Sequence, residues 1–207
     1  MDLKPDLVIG FSDLQADIAA ELIKQGLNVL VFNHRSVEEI LHMILTLSSI
    51  IGVEERGREL TEELSNGLHE IQKAAEMYQR RPTLFFEEWD DPLISGIQWV
   101  SELVRIAGAD DSFPELSTQS LGKDRIIANP DEVIARNPDI IVGSWCGKKF
   151  RPEKVAAREG WQNIAAVRDN QLHEIKSVNI LQPGPAALTD GVRQLQGIVA
   201  AWHEVNG

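Results

Sequence analysis

Two short segments carry the densest reactive chemistry in this chain. The first, EEWDDP at 87–92, sets four carboxylates around Trp89. Paired acids of this kind can act as general acid and base or hold a metal ion, so Glu87–Asp91 admits a hydrolase or transferase reading. The same acids can form one wall of a ligand site with Trp89, or cap a following helix at Asp91. The second segment, SWCGKKF at 144–150, joins an aromatic and the chain's single cysteine to a cationic knot. Cys146 at a strand-to-helix turn invites a nucleophile reading. No G-x-S-x-G or G-x-C-x-G elbow surrounds it, and no histidine stands at a spacing that marks a base. Cys146 therefore reads better as a small residue beside a ligand-facing Trp145. Lys148, Lys149 and Arg151, interleaved with Phe150, would meet an anionic or amide-rich ligand from a cleft, or form a charged turn in solvent.

The five histidines are scattered, with no zinc-like spacing. Only His34, in FNHRS after an apolar run, is placed to reach a ligand. GFSDLQ holds one glycine where a dinucleotide-binding turn needs three, so no cofactor motif is present. A formal net charge of −12 argues against a nucleic-acid partner, whose phosphates demand a concentrated cationic surface. One cysteine forbids an internal disulfide. The longest apolar stretch, 40–53, is broken by His42, Thr46 and two serines, so no membrane span is expected.

The elements that position these segments announce themselves through a repeat. Residues 4–10 read KPDLVIG and residues 137–143 read NPDIIVG. Each copy is a buried-strand pattern that stops at a glycine, with an aromatic, Phe11 or Trp145, close behind. Two such units far apart predict two similar α/β lobes facing a cleft. After the first copy, Ser12 or Asp13 can cap a helix to about Gln25, with Leu14, Ile18, Leu22 and Ile23 on one face. LNVLVF at 27–32 then reads as a strand buried on both faces of a parallel sheet. Ser36 with Glu39 forms a capping-box pattern opening a helix to about Ile51. Residues 53–81 space Leu60, Leu64, Leu68, Ile71, Ala75 and Tyr78 by three or four, which predicts one long amphipathic helix ended by Pro82. Gly57 and Gly67 inside it each cost about 1 kcal/mol relative to alanine, so it needs tertiary packing.

The second half reads as strand 83–88, helix 94–107, helix 130–136, the repeat strand, a short helix after Pro152, strand 172–175 and a final helix from about Pro185 to His203. The expected organisation is a partial N-terminal α/β lobe at 1–52, a linking helix at 53–81 and a C-terminal α/β lobe at 82–207, with mainly parallel sheets. The second copy of the repeat has a long lead-in and the first almost none, so the first lobe is expected to be incomplete at its N-terminus.

KPDLVIGFSD, the long linking helix, TLFFEEWDDPLISGIQWVSELVRIAGADD, NPDIIVGSWCGKKF and LQPGPAALTDGV together resemble the periplasmic-binding family for cobalamin and ferric siderophores. The resemblance covers nearly the whole chain. It implies a non-enzymatic receptor holding a cobalamin-like corrinoid or an iron chelate, siderophore or heme, between two lobes and delivering it to the permease of an ABC importer. Aromatics line such clefts because rigid rings give flat, bulky ligands apolar contact area. Carried over residue by residue, the ligand wall comprises Phe11, Ser12 and Asp13 in the first lobe and Trp89 and Trp145 in the second. Asp17 and Glu153 are the matching acidic residues for docking on the transporter. The resemblance also implies a periplasmic or extracytoplasmic location, although the segment MDLKPD shows no basic stretch followed by an apolar core and no lipid-attachment cysteine.

Overall fold

The computed structural model describes residues 3–206. Strand β1 (Val8–Gly10), helix α1 (Ala16–Lys24) and strand β2 (Val29–Val31) form a β-α-β unit, with Val8, Ile9 and Gly10 parallel to Val29, Leu30 and Val31. The Ser12 hydroxyl accepts from the Leu14 N–H at 3.2 Å and opens a short 3-10 turn at 13–15 that runs into α1. Gly26, at φ +81°, ends the helix, a conformation that favours glycine.

The expected burial of this unit is not found. Leu14, Ile18 and Ile23 are 76%, 61% and 58% exposed, and α1 has no buried residue. Val29–Val31 is half-buried at best rather than covered on both faces. Two strands and one helix are the whole of this sheet among the described residues, too few to bury both faces of a ribbon.

Helix α2 (Val37–Ile50) begins with the capping box foreseen in the sequence. Ser36 accepts from the Glu39 N–H at 3.1 Å, and the Glu39 carboxylate accepts from the Ser36 and Arg35 N–H groups. These two backbone bonds hold the Glu39 carboxyl below its ordinary range. Helix α3 (Glu54–Ala75) is shorter than the 53–81 pattern, because the chain turns at Glu76–Tyr78 before Pro82. Its 22 residues still reach about 33 Å at roughly 1.5 Å per residue. Gly57 is explained by the crossing with α2: a Cβ there would lie 2.0 Å from the Ser48 hydroxyl. Gly67 meets nothing within 4 Å.

The second sheet begins with β3 (Thr83–Asp90), which turns into an antiparallel strand β4 (Leu93–Ser95). The acidic segment therefore continues a strand and rounds a hairpin. Asp91 does not cap a helix, since α4 (Gln98–Ile106) starts seven positions on, at Gln98. Then follow β5 (Asp110–Asp111), α5 (Pro114–Ser117), α6 (Asp131–Arg136), β6 (Ile140–Gly143), α7 (Pro152–Ala156), α8 (Ala165–Arg168), β7 (Leu172–Glu174), α9 (Ser177–Ile180) and α10 (Val192–Asn206). The sheet order is β4-β3-β6-β7 with β5 on β3; β5, β6 and β7 run parallel to β3. Apolar residues on one face pack with α2, α3, α4 and α10, and those on the other with α6, α7 and α8. The stripe foreseen on the last helix, Ala187, Leu188, Val192, Leu195, Val199 and Trp202, is buried throughout. The architecture is two-lobed α/β with mainly parallel sheets.

Candidate functional site

In parallel sheets the strand ends with their carbonyls leading mark where ligands gather, because loops there converge and helix starts face them. Here Phe11 and Ser12, after β1, and Arg35, in the loop 33–37 after β2, share a cavity with Glu88 near the end of β3. That loop is fastened to the second lobe by three hydrogen bonds. Trp99 N–H donates to the Arg35 carbonyl at 2.8 Å, Val37 N–H donates to the Glu102 carboxylate at 2.7 Å, and the His34 Nε2 lies 3.3 Å from the Pro183 carbonyl. Burial pushes the His34 imidazole below its ordinary range, and Arg35 adds to that.

A cavity of about 380 Å³ opens between the lobes, lined by Phe11, Ser12 and Arg35 on one side and by Glu88, Trp99 and Arg125 on the other. Phe11 also borders a smaller cavity of about 220 Å³ with Phe32, His34, Met43 and the Gln182–Gly184 turn. Phe11 is thus the aromatic partition between two interlobe spaces. Ser12 is buried and spends its hydroxyl on Asp13 and on capping. Asp13 is exposed and accepts from Arg35 at 3.1 Å, so the first-lobe loop is drawn toward 33–37.

The glutamates of β3 point to opposite faces, as successive strand residues must, and each meets its own arginine. Glu87 is fully buried and accepts two N–H bonds from Arg158, at 2.6 and 2.8 Å, and one from the Trp145 indole at 2.9 Å. Burial pushes its carboxyl up from the ordinary glutamate range, while Arg158 and Trp145 pull it down. Glu88, facing the interlobe cavity, accepts from buried Arg125 at 2.6 and 3.1 Å. To serve as general acid and base these carboxylates would first have to leave their arginines. The arrangement instead stiffens a wall.

Trp145 is held from three sides: its Nε1 by Glu87, its ring edge-on against Phe150 at 5.0 Å, and its face by the Lys148 ammonium at 5.2 Å. The same ammonium lies 4.0 Å from the Trp89 ring centre and is paired with Asp90. Trp89 in turn donates its Nε1 to the Asp91 carbonyl at 2.8 Å. Lys148 thus bridges the two tryptophans that follow matching strands. Phe150 is almost fully buried and supports Trp145 from within the core rather than facing a cavity. Cys146 is exposed on the Ser144–Gly147 turn. A third cavity, about 450 Å³, lies beside this turn and is lined by Trp145, Lys148, Lys149, Glu174, Ile175 and Lys176.

Asp17 sits exposed in the first turn of α1 and Glu153 in the first turn of α7, one on each lobe. The residues that sequence reasoning did not single out are Arg35, Trp99, Arg125 and Lys176. Lys176 follows β7 as Trp145 follows β6, so the strand-end rule applied to LHEIKS would have found it. Arg125 and Arg158 stand 37 and 71 positions from the glutamates they hold, and no local pattern links them. No helix among the described residues is long and apolar enough to cross a membrane.

A family model described as periplasmic binding protein matches residues 1–178. The chain is 25% identical over 205 residues to an uncharacterized ABC transporter substrate-binding lipoprotein, YvrC, of Bacillus subtilis (strain 168). That match takes in 94% of this chain and 62% of the relative, so the chain spans less than two thirds of that protein's length. An ABC transporter substrate-binding protein from Listeria monocytogenes EGD-e superposes with a TM-score of 0.81 at 17% identity, covering 96% of this chain and 78% of the other. The periplasmic vitamin B12 binding protein BtuF of Vibrio cholerae superposes at 0.71 with 19% identity, covering 98% and 76%.

Proposed function

The chain belongs to the periplasmic binding protein family, and from that premise we propose that it is the substrate-binding component of an ABC importer. In this reading residues 1–52 form the first lobe, 53–81 the linking segment and 82–207 the second lobe, and the protein acts outside the cytoplasm. It holds a cobalamin-like corrinoid, or an iron chelate such as a siderophore or heme, in the cleft and passes it to a permease. The observation that carries the reading is the cavity of about 380 Å³ walled by residues of both lobes. Its aromatic and arginine lining suits a bulky ligand with polar edges, since rings supply contact area and a few fixed donors supply orientation.

Phe11, Ser12, Asp13 and His34 contribute the first wall, directly or by fixing the loops that bear it. Glu88, Trp99 and Arg125 face them across that cavity, and Trp145 and Lys148, with Trp89 and Cys146 beside them and Phe150 behind, extend the second wall along the separate cavity of about 450 Å³. Permease docking falls to Asp17 and Glu153, whose exposed carboxylates suit cationic partners. Isothermal titration with cyanocobalamin, hemin and a ferric siderophore tests the ligand. Saturable binding of one of them, weakened about tenfold by Phe11→Ala, is expected. Failure of all three to bind would sink the assignment. Reversing Asp17 and Glu153 to arginine should abolish stimulation of the importer's ATPase and leave ligand affinity unchanged.

A further inference from the structure

We propose that the cavity beside Trp145 is a subsite for an anionic group, a carboxylate or a phosphate, carried on an apolar or planar body. The proposal rests on the receptor reading above and adds to it the charge that the ligand must bear. Three of the chain's eight lysines, Lys148, Lys149 and Lys176, line this one cavity, in a chain whose formal net charge is −12. Ammonium groups gathered around a single concavity repel one another, and an entering anion relieves that repulsion.

The counter-charges already present do not neutralise it. Lys148 has Asp90, but Lys149 and Lys176 have no carboxylate within ion-pair distance among the described residues. The lining carboxylate Glu174, which accepts from the Phe150 N–H at 3.1 Å, still counts as a charge, so three ammoniums stand against two carboxylates, Asp90 and Glu174, with one positive charge in excess. The floor is of the opposite character. Trp145 gives its indole N–H to Glu87 and, like Ile175, is almost fully buried, so both close the cavity from below without a free donor, while exposed Val178 adds apolar surface at its side. An apolar floor under a cationic rim matches a ligand with an apolar body and an anionic edge. Lys148 is also fixed in advance, since two indole faces and Asp90 hold its ammonium, and a fixed donor loses little freedom on binding.

The test uses the whole chain and a Lys149→Ala/Lys176→Ala double variant, which leaves the Lys148–Asp90 pair and the core untouched. Trimesate is the anionic probe and its uncharged triamide the control, both followed by isothermal titration. Wild type should bind trimesate saturably and the triamide far more weakly. The double variant should lose about tenfold in trimesate affinity, and added salt should weaken binding to wild type. Equal affinity for trimesate and triamide, no effect of the double substitution, or no saturable trimesate binding would overturn the subsite. Cyanocobalamin and hemin titrated into the same two proteins separate the questions. If neither binds while trimesate behaves as stated, the ligand reading falls and the anion subsite stands. If hemin, which carries carboxylates, binds with an affinity indifferent to the two lysines, the subsite falls and the receptor reading stands.

Discussion

The strand that occurs twice in the sequence behaves differently in its two settings. PDLVIG at 5–10 and PDIIVG at 138–143 have nearly the same composition, yet Ile9 is 51% exposed whereas Val142, at the same position of the second copy, is 0% exposed, as is Ile141 beside it. β6 lies between β3 and β7 with helices over both faces, whereas β1 has one neighbour, β2, and one helix. The same residues thus stabilise one lobe through burial and contribute little in the other, because apolar area counts only when something covers it. The second sheet is the rigid reference of the molecule, and the first lobe is a thin flap fastened to it.

That contrast can be broken most directly at one isoleucine from each copy. Ile141→Ala should destabilise the protein by about 4 kcal/mol in urea denaturation, and Ile9→Ala by no more than about 0.5 kcal/mol. Similar losses at both would mean that the first lobe shares the core. Next come the ion pairs. Glu87→Ala strands Arg158 and frees the Trp145 indole, with an expected loss of about 3 kcal/mol, while Asp13→Ala, beside the more exposed Arg35 pair, should cost at most about 1 kcal/mol. A third comparison uses the glycines that close each repeat. A Cβ on Gly143 would lie 1.9 Å from the Phe150 ring, and one on Gly10 would lie 2.9 Å from the mobile end of Gln15. Gly143→Ala should cost about 2 to 3 kcal/mol and Gly10→Ala under about 1 kcal/mol; the reverse order would contradict the burial seen here.

The smallest effect is in pH. Burial lowers the imidazoles of His34, His173 and His203 below their ordinary value of 6.5. A depressed folded value means the unfolded chain takes up protons first. The stability that these groups confer is therefore full above 6.5 and is lost as pH falls from 6.5 toward the folded values. Melting temperature followed downward from neutrality should fall through this window. In His34→Gln it should fall less, and an unchanged slope would remove His34 from the account.

Much of this was readable in the residues. The capping box at Ser36 and Glu39, the αL glycine after α1, and the apolar stripe of α10 are local chemistry, and each forms as written. The strand ends that carry Phe11, Trp89 and Trp145 follow from the repeat and the parallel-sheet rule. What stayed hidden depends on partners distant in sequence. Leu14, Ile18 and Ile23 spell a buried helix face, but periodicity reports that a face is apolar and says nothing of whether a neighbour exists to cover it. The acidic run at 87–91 looked like free carboxylates because its arginines, Arg125 and Arg158, come from a 3-10 turn and from the turn after α7, far along the chain. Gly57 looked like a weakness in α3, and only the crossing with Ser48 shows that a side chain there could not fit.

The fastening at 33–37 has a mechanical consequence. Three hydrogen bonds within four consecutive residues pin the flap to three separate segments, at Pro183, at Trp99 and at Glu102. A single pin would let it swivel and two would leave an axle; three make a bracket. On the proposed receptor reading, the two sides of the interlobe cavity would keep their spacing before a ligand arrives, and the entropy of bringing them together would be spent during folding rather than at each binding event. In such a receptor, affinity would be tuned by changing what lines the cavity, and the rate of ligand escape by loosening one of the three pins.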